Sequence, residues 1–443
     1  MNIISKKTQT VFTANPVYHY IAAFVIGLIA GFNIIPSSLF ALISVVAGLM
    51  CIKYAFENNL YGVFTVLPYL VYNEIYARRY ITVLPYLYVQ YILIIVFVVL
   101  LITQKRSIGR HSGIFILMVI YSLLEILDSS RTNDPTYAKM LITNTVCITA
   151  IIGWGSFNYL PSKLINHLFN HIKIAGIYLT AIVFVAHLRG NINYGLTSNF
   201  GSSNGLAPVQ LSAYLGFVCI LFFWEIMNYA KGFKLVLNLG LFAFSAIIMV
   251  LTFSRGGLYF VGISIVLYLL FNRSKARSYY LLFLLIPVAI FVADYVISVT
   301  GGMIEQRYRE EGSSGRDRLI ESGLTLFLNS LVTGVGTANF NTAIIENELY
   351  EVQSGAHNEF IRAAAEHGLL GICTFIAFFG FLFLQILQRR SIEREYAIYF
   401  FIFFCLVTIH NGLKISLQPL VMMLVVATPS VVKIKRATHV QVA

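Results

Sequence analysis

The chain has 443 residues, of which 58% are hydrophobic and only 11% charged, with a formal net charge of +12 and five cysteines. A soluble domain of this size needs far more surface charge, and no basic residues cluster into the face that nucleic-acid binding requires. The mean hydropathy of +0.78 instead describes a chain built to sit in lipid.

Apolar residues come in uninterrupted runs of about 17–23, long enough to cross a hydrocarbon core of ~30 Å as helices. The alternating stretches of about ten residues that mark a membrane β-barrel are lacking. Backbone groups in lipid must bond within their own segment, so the runs are read as helices. Four are expected over 18–35, 37–54, 60–76 and 81–103, and five more over 113–127, 139–160, 172–188, 206–228 and 233–253. Two follow over 256–272 and 279–299, and after a long polar segment three more over 369–388, 395–411 and 416–432. The fold class is therefore an all-α polytopic membrane protein of about fourteen transmembrane helices, within a range of 11–14, with one large, mostly helical outer loop.

Segments 60–76 and 113–127 are short and carry Glu74 and Glu125. If either re-entered instead of crossing, every later loop would change sides. Basic residues arbitrate through the positive-inside rule. With the N-terminus inside, about 19 of the 31 Lys and Arg fall on cytoplasmic segments, among them Lys53, Lys105, Arg106, Lys173, Lys231, Arg273 and Lys433. Both termini are thus expected in the cytoplasm, and the loop on the periplasmic or extracellular side of a cytoplasmic (inner) membrane. The chain divides into membrane helices over 1–188, central helices over 189–299, the outer loop over 300–368, and C-terminal helices with a tail over 369–443. Cys51, Cys147, Cys219, Cys373 and Cys405 all lie in predicted helices without paired spacing, so neither a disulfide framework nor a zinc site is expected. The first apolar run lacks a cleavage site and reads as a retained helix.

Ten of the 19 acidic residues lie in the outer loop, together with Arg307, Arg309, Arg316, Arg318 and Arg362. Three arrangements exceed what solvent exposure explains. In Gly312-Ser-Ser-Gly-Arg316-Asp-Arg318, a helix is expected to start with Ser313 or Ser314 as its cap. Arg316 and Arg318 in its first turn oppose the helix dipole unless an anion arrives between them, or unless Glu310, Glu311 or Asp317 pairs with them. In the segment from Gly355 to Gly368, a short helix is expected with Gly368 as its stop and His357 at its N-terminus. The dipole there favours neutral imidazole, the form a general base needs; a structural histidine is the alternative. In Ser254-Arg255-Gly256-Gly257, an arginine stands at the membrane boundary with no loop around it, where it either serves function or snorkels to headgroups. A weaker feature, Asn199-Phe-Gly-Ser-Ser-Asn204-Gly-Leu-Ala, closes the preceding outer loop as a polar turn.

Taken together, these segments resemble the O-antigen ligase/polymerase superfamily over roughly residues 190–390. Ser254-Arg255-Gly256 is similar to the family's Ser-Arg-Gly, and Arg316 followed by Gly334-Val-Gly336 to its Arg…Gly-x-Gly signature. His357-Asn358 followed by Glu366-His-Gly368-Leu-Leu-Gly371 is similar to its His-Asn…Glu-x-Gly-x-x-Gly segment, and 199–207 to its Phe-Gly…Asn-x-Leu-Ala pattern. Ile320 stands where the family usually has Trp, and no Pro precedes the Gly-x-Gly.

The resemblance implies a GT-C-like membrane glycosyltransferase that moves a glycan from undecaprenyl pyrophosphate to an acceptor sugar hydroxyl, inverting, without metal or cofactor. It implies Arg255 and Arg316 on the pyrophosphate, with Arg318 assisting, and His357 as base. Asn358, Asn204 and Glu366 are carried over as substrate-binding residues. The reading leans to a polymerase of lipid-linked repeat units, with a chain-length regulator protein as a possible partner, over a ligase acting on lipid A-core. A lipid-linked-oligosaccharide flippase or transporter is the alternative class, with Asp294 and Glu225 as its main intramembrane acids. Transporters usually carry related halves, and no internal repeat is evident.

Overall fold

The structure is a computed structural model and describes residues 16–104, 112–158, 160–190, 192–196, 198–228, 230–272, 276–310, 315–351, 354–389 and 391–427. Seventeen α-helices follow in order. The first seven are α1 (Pro16–Gly31), α2 (Ser37–Phe56), α3 (Leu60–Tyr80), α4 (Tyr88–Thr103), α5 (Ser112–Asp128), α6 (Pro135–Phe157) and α7 (Ser162–Arg189). Then come α8 (Pro208–Asn228), α9 (Gly232–Leu251), α10 (Gly256–Phe271), α11 (Ala276–Val299), and the loop helices α12 (Met303–Glu310), α13 (Arg316–Asn329) and α14 (Phe340–Glu346). The chain closes with α15 (Glu359–Leu387), α16 (Ser391–Asn411) and α17 (Leu417–Val426), and no strand occurs among the described residues. Helices α1–α11 and α15–α17 coincide with the apolar segments, so the chain is an all-α, multi-pass membrane protein. Eight helices are long and apolar enough to span by length and composition, and α1, α4, α10 and α17 are shorter apolar ones.

Hydrogen bonds between connections establish which helix ends share a face. Asn204 donates to the carbonyls of Gly31 (3.3 Å) and Ile182 (2.9 Å), and its own carbonyl accepts the Tyr80 hydroxyl at 2.5 Å. Arg78 donates to the carbonyl of Lys414 at 3.2 Å, Arg131 to that of Thr333 at 2.9 Å, and the backbone amide of Leu413 to Glu359 at 3.0 Å. The C-terminal ends of α3 and α5 therefore reach the face that bears the long loop. The N-terminal end of α3 meets the end of α4 instead: Asn58, just before α3, accepts the hydroxyl of Thr103.

The acids of α3 and α5 are paired internally, which offsets the cost of burying them in low dielectric. Glu74 accepts from Arg78 (2.7 Å), the Tyr214 hydroxyl (2.7 Å), and the Ser416 amide and hydroxyl (2.9 and 2.8 Å). Glu125 pairs with Arg362.

Two expectations need correction. Helix α7 begins at Ser162, ten residues before the predicted 172, so Lys173 is a buried helix residue and not a loop lysine. It pairs with Glu225 of α8, which also binds Lys234 at 2.6 Å. Hydropathy missed this turn because its polar residues are used internally: His167 bonds Thr65 (2.8 Å) and His171 bonds Tyr69 (3.1 Å). The cap of α13 is Gly315, at φ 77 and with no side-chain bond, while Ser313, Ser314 and Glu311 lie outside the described residues.

The expected helix stop at Gly368 is a break inside α15, at φ 61 and ψ −150. The Gly334-Val-Gly336 loop locks it. Val335 and Gly336 amides donate to the carbonyls of Ala365 (2.9 Å) and Glu366 (2.8 Å), and the Leu369 amide donates to Leu331 (2.7 Å). A Cβ on Gly368 would stand 2.5 Å from the Leu331 carbonyl oxygen. The two glycine motifs are thus halves of one backbone contact.

Candidate active site

The turn between α9 and α10 is built so that backbone, not side chain, meets its neighbours. The Gly257 amide donates to the Ser212 hydroxyl at 2.8 Å, and that hydroxyl donates to the carbonyl of Ser254 at 3.2 Å. A Cβ on Gly257 would stand 2.6 Å from Ser212, and one on Gly256 would stand 2.6 Å from the ring of His410. The glycines let α8 and α16 close in, which holds Arg255 at the start of α10. Its Nη2 donates to the carbonyl of Arg307 at 2.8 Å, and its guanidinium lies 5.4 Å from the ring centroid of Tyr308.

Arg307 is buried at 5% exposure and donates to the carbonyl of Leu196, tying α12 to the outer loop before α8. Arg316, the first residue of α13, is half-buried. Burial, and then the neighbouring charges of Arg255 and Arg307, pull its pKa down from the ordinary arginine value. It makes no ion pair or hydrogen bond among the described residues. An arginine stays protonated in such surroundings. Three guanidinium groups therefore stand close together, with Arg255 and Arg316 at helix N-termini, an attraction for a multivalent anion.

His357 completes the group from the opposite side. It lies in the left-handed region at φ 49, a costly conformation for a non-glycine residue, immediately before the cap of α15. Asn358 supplies that cap, its Oδ1 accepting the Phe360 amide at 3.0 Å. The His357 Nδ1 is buried without a hydrogen-bond partner. Burial, reinforced by the positive charges of Lys414 and Arg316, pushes its pKa down to about 4, so the imidazole is neutral at pH 7. Lys414 lies in the turn between α16 and α17, its ammonium 5.0 Å from the Tyr137 ring centroid and without an acidic partner among the described residues. A Cβ on Gly355 would stand 2.9 Å from that ammonium, so glycine there admits the lysine beside the histidine.

The structure thus brings together Arg255, Arg316 and His357, and adds three residues that sequence reasoning missed: Arg307, Lys414 and His410. Lys414 carried a usable signal, since it stands, like Arg255, in a short turn between two apolar helices. Three expected substrate-binding residues are placed elsewhere. Arg318 is exposed, two residues and about 200° around the helix from Arg316. Both amide hydrogens of Asn204 are used on the carbonyls of Gly31 and Ile182.

Glu366 is fully buried, accepting from Arg362 at 2.5 Å and from the Phe340 amide at 3.3 Å. It belongs to a network in which Arg362 also pairs with Glu125 and Glu359, and His367 bonds Asp128 at 2.6 Å. Ligand-type atoms of Glu125, Glu366 and His367 lie within 4.8 Å of one another. Arg362 also pairs with both of these carboxylates, which ties the cluster into one buried ion-pair network.

Fold and site together define a multi-pass membrane protein with a cationic, histidine-bearing cluster at the face of its long loop. Residues 240–376 match the family model described as O-antigen ligase, which supports the likeness of this segment to the O-antigen ligase/polymerase superfamily. The matched stretch holds Arg255, Arg307, Arg316 and His357; Asn204, His410 and Lys414 lie outside it. No curated protein matches the chain.

Proposed function

We propose that the chain polymerises lipid-linked oligosaccharide repeat units, transferring a glycan from undecaprenyl pyrophosphate to an acceptor sugar hydroxyl at the outer face of the cytoplasmic membrane. The observation that carries this reading is a chain of four cations, with Arg255 and Arg307 beside Arg316, and Arg316 and Lys414 beside neutral His357, and with no acid paired to Arg316 or Lys414 among the described residues. Such a pocket suits a pyrophosphate whose negative charge grows as it departs. The acceptor oxygen attacks the anomeric carbon as the bond to the pyrophosphate oxygen breaks. Its proton passes to the imidazole of His357, and the bonding electrons leave with the pyrophosphate. Attack opposite a leaving group held on one side inverts the anomeric centre. Arg255 and Arg316 fork onto phosphate oxygens. The distribution of basic residues supports placing this face outside.

A ligase that accepts lipid A-core is the second reading and would use the same residues, which the matched family model covers for both activities alike. The glycan profile of a deletion strain separates them. Loss of a polymerase leaves a single repeat unit on lipid A-core, whereas loss of a ligase leaves long chains on the carrier. If His357→Ala and Arg316→Ala, both expressed and folded, restored wild-type glycan to that strain, the transferase reading would be wrong.

A further inference from the structure

A second cationic pocket opens on the same face, beside the first. The ends of α3 and the start of α8 enclose a cavity of about 420 Å³ lined by Arg78, Arg79, Tyr86, Phe200, Gly205 and Gln210. Arg78 is fixed from three sides: Glu74 at 2.7 Å, the Lys414 carbonyl at 3.2 Å, and the ring of Tyr86, whose centroid is 4.5 Å from the guanidinium carbon. Arg79, the next residue, is exposed and makes no ion pair or hydrogen bond among the described residues. Gly205, at φ 75, brings its backbone against this side chain, since a Cβ there would stand 3.6 Å from Arg79 Nε.

One carboxylate thus faces two guanidinium groups, and the pocket keeps a net positive charge. Phe200 is 60% exposed, so its ring is presented to whatever enters. Guanidinium for phosphate, aromatic faces for sugar rings and the Gln210 amide for hydroxyls together describe a site for a glycosyl phosphate.

The position relative to the first pocket is the second argument. The turn carrying Lys414 turns its ammonium toward His357 and its carbonyl toward Arg78, so one short segment forms the wall between the two sites. A reaction joining two lipid-linked glycans needs two phosphate sites. The reacting hydroxyl of the acceptor lies a whole repeat unit from its own pyrophosphate, so the acceptor's phosphates must rest beside the catalytic pocket and not within it. We propose that the Arg78/Arg79 pocket holds the pyrophosphate and first sugar of the lipid-linked acceptor. This rests on the transferase reading given above and names the second substrate's site.

Titration of undecaprenyl pyrophosphate into the full chain, held in phosphatidylcholine nanodiscs and counted by native mass spectrometry, tests the assignment. The wild type should bind two equivalents, and Arg79→Glu and Phe200→Ala should each lose or weaken one by roughly ten- to a hundredfold. With a lipid-linked repeat unit as substrate, both variants should raise the acceptor KM and leave kcat within a few-fold. A single equivalent on the wild type overturns the proposal, as do two retained by both variants. Displacement of the second equivalent by phosphatidylglycerol also overturns it, because the pocket would then be a general lipid-headgroup site. Arg316→Ala should remove the other equivalent; if it removes none, the donor-site reading fails while the Arg79 result stands on its own.

Discussion

Gly334 lies so near Glu366 that a Cβ on the glycine would stand 2.4 Å from the Glu366 carbonyl oxygen and 2.3 Å from its carbonyl carbon. Gly334 also sits at φ 61, where a side chain is strained regardless of space. This contact positions the break in α15, and with it the short helical segment that begins immediately after His357. Gly334→Ala should therefore lower stability by on the order of 3 kcal/mol, from left-handed strain and overpacking together. Thermal unfolding of the detergent-solubilised protein checks this, with Gly380→Ala as a control because a Cβ there meets nothing within 4 Å. Equal melting temperatures for the two variants would contradict the lock.

The His357 imidazole titrates near 4, below its ordinary value of 6.5. The unfolded chain binds the proton more readily than the folded one between these values. Its contribution to stability is fully present above about pH 6.5 and is lost as pH falls from there through 4. The same depression bears on turnover, since a base that stays neutral down to pH 4 gives kcat/KM a flat profile from pH 7 to about 5. Bound pyrophosphate brings negative charge to the imidazole, so the acid limb of kcat should lie at higher pH than that of kcat/KM. A kcat/KM limb centred near 6.5 in the free enzyme would remove the burial argument for His357.

Arg316→Ala should reduce chain growth by roughly 10²–10³-fold, the usual cost of removing one preorganised stabiliser of developing charge. Arg316→Lys should recover only part of that, because an ammonium cannot fork onto two phosphate oxygens. Arg318→Ala, two positions along α13 and exposed, should stay within a few-fold of wild type. Gel-based chain-length assays of the purified protein with a lipid-linked repeat unit make the comparison directly. Equal losses at 316 and 318 would mean that the anion lies across the helix end and not in the pocket with Arg255.

Arg362 pairs with three buried carboxylates, Glu125, Glu359 and Glu366. Arg362→Ala strands them in low dielectric and should cost about 3–5 kcal/mol. Glu125→Gln removes one charge from a cluster rich in acids and should cost less. The fraction of monodisperse protein in size-exclusion chromatography should rank wild type, then Glu125→Gln, then Arg362→Ala. The reverse order would show that the network carries excess positive charge.

Hydropathy located every apolar helix, and the spacing of short motifs singled out Arg255, Arg316 and His357, because both signals are local. Runs of apolar side chains and glycines beside a catalytic-type residue need no knowledge of the rest of the chain. Whether a polar side chain is free to meet a substrate is a different kind of question. Asn204 and Glu366 sit in motifs as suggestive as that of His357, yet their hydrogen bonds are used on Gly31 and Ile182, and on Arg362 and Phe340. Lys414 and His410 join the pocket from the far side of α15, and Glu74 and Glu125 become admissible in the membrane only through Ser416 and Arg362. In low dielectric a polar group is either paired or poised, and its partner decides which. Those partners lie up to hundreds of residues away, so the sequence by itself determined that the chain is a bundle of membrane helices and which short motifs stand out, and only the tertiary structure decided which of their polar side chains are already paired.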